Sequence, residues 1–176
     1  MTLIHASSLQ PLLAELSGAL LKRQQMLCTA ESCTGGLIAA YCTSLAGSSQ
    51  WFERGFVTYS NEAKHELLDI PLALIEQHGA VSEPVAHAMA QNALSHSRAH
   101  WSVSVTGIAG PSGGSAEKPV GLVWFGFARR LSIHSTATAE LQIQTEKMHF
   151  PGDRHAVRHA TVEHALHGLL ARLTHS

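Results

Sequence analysis

The chain has 176 residues, 45% hydrophobic and 14% charged, with a formal net charge of -1 when its thirteen histidines are neutral. This length predicts one domain spanning residues 1–176, and the apolar share supports a filled core and excludes a disordered chain. The near-neutral balance offers no field of one sign for a nucleic-acid backbone or an anionic membrane, and no apolar run approaches the ~18 residues of a membrane span, so neither partner is expected.

Residues 8–23 place Leu9, Leu12, Leu13, Leu16 and Leu20 on one helical face, with Pro11 tolerated in the first turn. The start before it, Met1-Thr-Leu-Ile-His5, lacks the basic stretch and apolar core of a secretory signal, so a cytoplasmic location is expected. Met26–Glu31 reads as a short buried strand, followed by the turn Ser32–Gly36 and an apolar helix from Leu37 to Leu45. Gly47–Gly55 breaks the pattern and reads as a loop exposing Trp51 and Phe52, an aromatic pair that suggests a homodimer contact. Phe56–Ser60 is expected as the second strand, with Asn61 capping a helix that carries Glu62, Lys64 and Leu67. Two helices follow over Pro71–His78 and Pro84–Ala99, the latter with Ser82 as cap and Glu83 in its first turn.

Trp101–Ile108 alternates as a strand does and meets the Gly-, Ser- and Pro-rich stretch 109–121, a long shaped loop. Leu122–Ala128 and Ser132–Gln144 add two strands, expected as antiparallel neighbours, and the stretch from Gly152 closes the chain as a helix. Strands separated by helices predict a three-layer α/β/α domain around a mixed, mostly parallel sheet of about five strands. Functional loops should then gather at the carboxyl ends of the parallel strands.

The three cysteines, Cys28, Cys33 and Cys42, lack the spacing of a zinc site and read as reduced packing residues, although Cys33 is a possible attacking group beside Ser32. The histidines are scattered. The i, i+4 pair His155 and His159 could face one ion, but without a nearby carboxylate pattern a solvated helix face is the plainer reading, and no metal is expected.

The turn Glu31-Ser-Cys-Thr-Gly-Gly36 offers a hydroxyl at a strand end and amides at a helix start, suited to a phosphate, to the oxyanion of acyl transfer, or simply to capping. It has neither the Lys-Ser/Thr ending of a P-loop nor the spacing of G-x-S-x-G. Tyr59 and Lys64 lie one strand further on. If the strands are parallel neighbours, these groups meet Ser32 at one end of the sheet, where a partly buried lysine can act as base and a tyrosine can relay or orient. Taken alone, Lys64 is equally a solvated residue paired with Glu62 or Glu66.

Thr29-Ala-Glu-Ser-Cys-Thr-Gly-Gly36, Trp51-Phe-Glu-Arg-Gly-Phe-Val-Thr-Tyr-Ser-Asn-Glu-Ala-Lys64, Gly79-Ala-Val-Ser-Glu-Pro84, Thr106-Gly-Ile-Ala-Gly-Pro111, Glu117-Lys-Pro-Val-Gly121 and Gly152-Asp-Arg-His-Ala-Val-Arg158 occur in this order. Together they resemble the CinA C-terminal-domain family, which includes stand-alone nicotinamide-nucleotide amidases. The resemblance implies hydrolysis of nicotinamide mononucleotide to nicotinate mononucleotide and ammonia, without cofactor or metal. It implies Ser32 as nucleophile and Lys64 with Tyr59 as the base system, with amides around Ser32 to Gly35 binding the oxyanion. Thr34, Gly35, Gly36, Ser48, Thr106, Gly107, Gly110 and Arg154 are the expected substrate contacts, Arg154 or Arg158 serving the phosphate. Without the large N-terminal domain of full-length CinA proteins, no pyrophosphatase activity is expected. A non-catalytic nucleotide-binding module and a protein-interaction role are the competing readings.

Overall fold

The computed structural model describes residues 9–131 and 140–175. Helix α1 (Gln10–Lys22) buries Leu12, Leu13, Leu16 and Leu20, the stripe that its leucine spacing predicts, with Pro11 in its first turn. Strand β1 (Leu27–Glu31) is buried along its whole length because it lies inside the sheet. Helix α2 (Leu37–Thr43) connects it to β2 (Phe52–Val57). Helices α3 (Asn61–Leu68), α4 (Leu72–His78) and α5 (Glu83–Ser95) lead to β3 (Trp101–Gly107). Two long strands, β4 (Leu122–Arg130) and β5 (Leu141–His149), precede the closing helix α6 (Arg154–Thr174).

The five strands are ordered β2-β1-β3-β4-β5. β1 pairs in parallel with β2 and β3, and β4 runs antiparallel between β3 and β5. One core, with Leu13, Leu16, Val103, Phe125, Leu166 and Leu169, lies between the sheet and the α1/α6 layer. The other, with Ala30, Leu68, Ile70, Met89 and Leu94, lies under α3, α4 and α5. Helix α5 lies close on the sheet because small residues face it: Ser102 and Ser104 donate to Ala90 O and Ala86 O, and a Cβ at Gly126 would fall 2.5 Å from Ala86 O. From β1 the chain passes to β2 on one side and later returns to β3 on the other. That reversal opens a crevice at the carboxyl ends of all three strands.

Several local expectations are corrected. Trp51 is 1% exposed, and β2 begins at Phe52 rather than Phe56 and ends at Val57. Trp51 O accepts the amide of Leu27, and its ring packs edge-on against Phe52 at 6.3 Å between centroids. Gly55 is a strand position that lets α2 approach, since a Cβ there would sit 3.0 Å from that of Ala39. An exposed aromatic pair therefore no longer supports a homodimer contact. The α3 cap is Ser60, whose Oγ accepts from Ala63 N, rather than Asn61. Ser82 stands at the α5 cap position, but its hydroxyl donates to Gly79 O, and α5 ends at Ser95 rather than Ala99. The fifth strand starts at Leu141, and the earlier part of its expected range, 132–139, lies outside the described residues. Among the described residues, no helix is long and apolar enough to cross a membrane.

Candidate active site

The carboxyl end of β1 delivers Glu31 and then the turn 32–36. Gly35 and Gly36 have φ of 60° and 92°, in the left-handed region that favours glycine, and a Cβ on Gly36 would lie 3.3 Å from Val57 Cγ2. The turn is anchored to β3 by Ser32 N donating to Val105 O at 3.0 Å, and it is closed by Gly35 N donating to Ser32 O at 3.0 Å. Those two amides are therefore engaged. Among the described residues, the Cys33 and Thr34 amides have no acceptor from another residue, which narrows the expected oxyanion donors from Ser32–Gly35 to these two.

Glu31 is fully buried and ties the turn together from within. Its Oε1 accepts from Ala39 N at 2.8 Å and Thr29 Oγ1 at 3.2 Å. Its Oε2 accepts from Ile38 N at 3.0 Å and Thr34 Oγ1 at 2.7 Å. The α2 amides that a bound anion would use are thus already occupied by the chain's own carboxylate. The sequence reading did not single out Glu31. The available signal was an acid standing just ahead of a helix start.

Lys64, in the second turn of α3, is 1% exposed. Its Nζ donates to Ser32 Oγ at 3.0 Å, Thr58 O at 2.9 Å and Ser60 O at 3.4 Å. No acceptor in this set is a carboxylate. Burial, the largest influence, lowers the Lys64 ammonium from 10.5 to about 8. A lysine so placed is roughly one-tenth neutral at pH 7 and can take a proton from the hydroxyl it touches. The solvated alternative, paired with Glu62 or Glu66, does not occur. Cys33 is a poor rival nucleophile because burial pushes its thiol up to about 12.

Tyr59 does not join this pair. β2 ends at Val57, the next side chain, Thr58, turns inward and is fully buried, and Tyr59 turns outward to 59% exposure. Its hydroxyl accepts from Arg154 Nη2 at 2.9 Å, and its ring lies over Gly35. Arg154 also donates from Nη1 to Gly110 O at 3.0 Å, linking α6 to the loop after β3. Arg158, one turn on, donates from Nη2 to Thr34 O at 2.7 Å rather than pairing with Asp153 or Glu163, and its Nε is buried without a partner. These arginines, with Ala109, Pro111 and Val120, line a cleft of about 480 Å³.

The remaining expected contacts divide. Gly35 lies between Tyr59 and Arg158, where a Cβ would sit 3.7 Å from Arg158 Nη2 and 3.9 Å from Tyr59 Cε2, while Gly36 starts α2. Thr34 is fully buried, its hydroxyl donating to Glu31 and its carbonyl accepting from Arg158, so its side chain is not a substrate contact. Thr106 is buried and donates from Oγ1 to Ala80 O at 2.8 Å. Gly107 serves strand packing, since a Cβ there would lie 2.7 Å from Val123 Cγ2. Gly110 contributes the carbonyl that holds Arg154. Ser48 lies at the wrong end of the sheet: its 3₁₀ turn, Ser48–Gln50, precedes Trp51, which bonds to the start of β1, whereas Ser32 follows the end of β1. The five residues of β1 span roughly 16 Å. A second cleft, about 330 Å³ and lined by Trp101, Arg129 and Arg172, also lies at that opposite end. Among the described residues, no group of three His, Cys, Asp or Glu side chains could hold a metal ion.

Residues 9–173 match the family model described as the CinA C-terminal domain. The chain is 54% identical over 150 residues to a protein of Enterobacter agglomerans named nicotinamide-nucleotide amidohydrolase PncC, covering 85% of this chain and 86% of that one. It is 50% identical over 163 residues to the protein of that name from Escherichia coli strain K12, covering 93% of each. Among solved structures, the competence/damage-inducible protein CihA of Agrobacterium tumefaciens superposes with a TM-score of 0.88 at 42% identity, covering 99% of both chains.

Proposed function

The chain belongs to the CinA C-terminal domain family, and from that premise we propose that it is a nicotinamide-nucleotide amidase, converting nicotinamide mononucleotide and water to nicotinate mononucleotide and ammonia. The observation that carries this reading is the Lys64 Nζ–Ser32 Oγ hydrogen bond of 3.0 Å in a buried setting, with no carboxylate on the lysine. Relatives named for this reaction support the substrate assignment.

Neutral Lys64 accepts the Ser32 proton as Oγ attacks the carboxamide carbon, and the Cys33 and Thr34 amides donate to the developing oxyanion. Collapse breaks the C–N bond. The Lys64 ammonium returns its proton to the departing nitrogen, ammonia leaves, and an ester to Ser32 remains. Lys64, neutral again, then takes a proton from water as the oxygen attacks the ester, returns it to Ser32 Oγ as the ester C–O bond breaks, and the carboxylic acid so formed gives its proton to solvent and leaves as the carboxylate. Tyr59 does not touch Lys64, so its part in this scheme is on the rim, where it braces Arg154. The phosphate lies in the cleft against Arg154 and Arg158, whose guanidinium forks suit it. A purely nucleotide-binding module has no use for a lysine buried against a serine, and a charged amine is costly to bury unless its chemistry is needed.

Ammonia release from nicotinamide mononucleotide tests the reading, with nicotinamide riboside, which lacks the phosphate, as comparison. Turnover of the mononucleotide with kcat/KM at least about tenfold above the riboside is expected, from one charged hydrogen bond or more. Absence of ammonia from the mononucleotide would reject the amidase. Arg154→Gln should raise KM for the mononucleotide about 10- to 100-fold, with kcat changing less than about threefold, because the interaction is made alike in ground and transition states. An unchanged KM would remove Arg154 from the phosphate site.

A further inference from the structure

We propose that Glu31 is a positioning residue: its carboxylate holds the 32–36 turn so that Ser32 Oγ meets Lys64 while the Cys33 and Thr34 amides are kept off other acceptors of the chain. Only the kinetic reading of its test rests on the amidase proposal.

Glu31 joins three segments through one group. Thr29 belongs to β1, Thr34 to the turn, and Ile38 and Ala39 to the first turn of α2, and all four donate to it. Each carboxylate oxygen takes one backbone amide and one hydroxyl, so both oxygens act as acceptors. Helix α2 has seven residues, too short to hold itself together, and its N-cap is Gly36, which has no side chain for capping. The start of α2 is therefore fixed from outside, by Glu31. Ser32 lies between the strand end and that helix start, so the torsions that aim its hydroxyl and the two following amides are set by the same carboxylate. Arg158 completes the clamp from the other side through Thr34 O. Glu31 is fully buried with both oxygens already taken by the chain's own donors, so it acts through the turn and not on the substrate.

The isosteric variant Glu31→Gln has one acceptor oxygen where two are needed, and it turns an NH₂ toward a backbone amide and a hydroxyl. It is expected to fold, to lose about 10²-fold in kcat through misplacement of the reacting atoms, and to keep KM within about threefold. Amide hydrogen exchange, followed by NMR, should speed up at Ile38 and Ala39 while β1 stays protected. Unchanged kcat overturns the proposal, and so does a loss of kcat accompanied by faster exchange throughout the sheet, which marks a purely structural role. Should Glu31→Gln not fold, Thr34→Val and Thr34→Ser decide: loss in the first with recovery in the second supports the clamp, and equal behaviour overturns it. If the unmodified protein does not hydrolyse the mononucleotide, the amidase reading fails, and labelling of Ser32 by a serine-directed fluorophosphonate replaces kcat. Slower labelling in Glu31→Gln then supports positioning, equal labelling overturns it, and an unmodified protein that neither turns over nor labels overturns both.

Discussion

Ser32→Ala should reduce ammonia release from nicotinamide mononucleotide by at least about 10⁴-fold, the scale on which removal of an attacking hydroxyl acts when base and oxyanion donors remain. The variant keeps the Cys33 and Thr34 amides, the arginines and Lys64. What it loses is the proposed attacking atom. Its fold should survive, because the Ser32 backbone bond to Val105 O is untouched and Lys64 Nζ keeps Thr58 O and Ser60 O as acceptors. Substrate binding should persist as well, so calorimetry on the variant should give a dissociation constant within about threefold of the unmodified protein's, as uniform binding interactions are unaltered. Retained turnover would move the nucleophile elsewhere, with Cys33 next in line by position. Its buried thiol, raised to about 12, makes that outcome contrary to expectation.

Lys64→Met should lower kcat by about 10²- to 10⁴-fold, the usual contribution of a positioned base. It should do so without unfolding the protein. Methionine fills nearly the same volume in a site where the amine is 1% exposed, and removing a charge from such surroundings is often neutral or stabilising. The linkage has a definite sign. The Lys64 ammonium titrates near 8 when folded and near 10.5 without burial, so between those values the unfolded chain binds more protons. This lysine therefore makes stability rise as pH increases from about 8 to about 10.5, and Lys64→Met should lose that rise. Thermal unfolding of both proteins across that range checks it. Full activity in the variant would remove Lys64 from the chemistry, and a collapsed fold would show that the site depends on the charge itself.

The layer order and strand count could be read from the sequence because they follow from repeated patterns. The leucine stripe of α1 and the buried runs of β1 and β3 each declare their period and partner face. The pairing of Ser32 with Lys64 was also legible, as both stand just past the ends of parallel neighbours. What could not be read was decided by single orientations. Tyr59 was grouped with the base because it is near Lys64 in sequence, but β2 ends two residues earlier, so Tyr59 turns out to Arg154 and its neighbour Thr58 turns in. Ser48 is the expected substrate contact that the fold moves away. β2 starts at Phe52, opposite Leu27, which puts Ser48 at the amino end of the sheet. Gly55 looked like loop punctuation, whereas its missing side chain makes room for Ala39. Glu31 was passed over because acids are mostly exposed, and only the structure reveals the four donors that keep this one buried.

The central claim, a serine activated by a buried neutral lysine, is tested most directly by the pH dependence of kcat/KM for hydrolysis of nicotinamide mononucleotide over roughly pH 5 to 10. The predicted profile rises with pH, with its midpoint at about 8, as the Lys64 ammonium loses its proton, and then levels off. A midpoint near 6.5, where an unperturbed histidine titrates, or a profile flat through this range would contradict it.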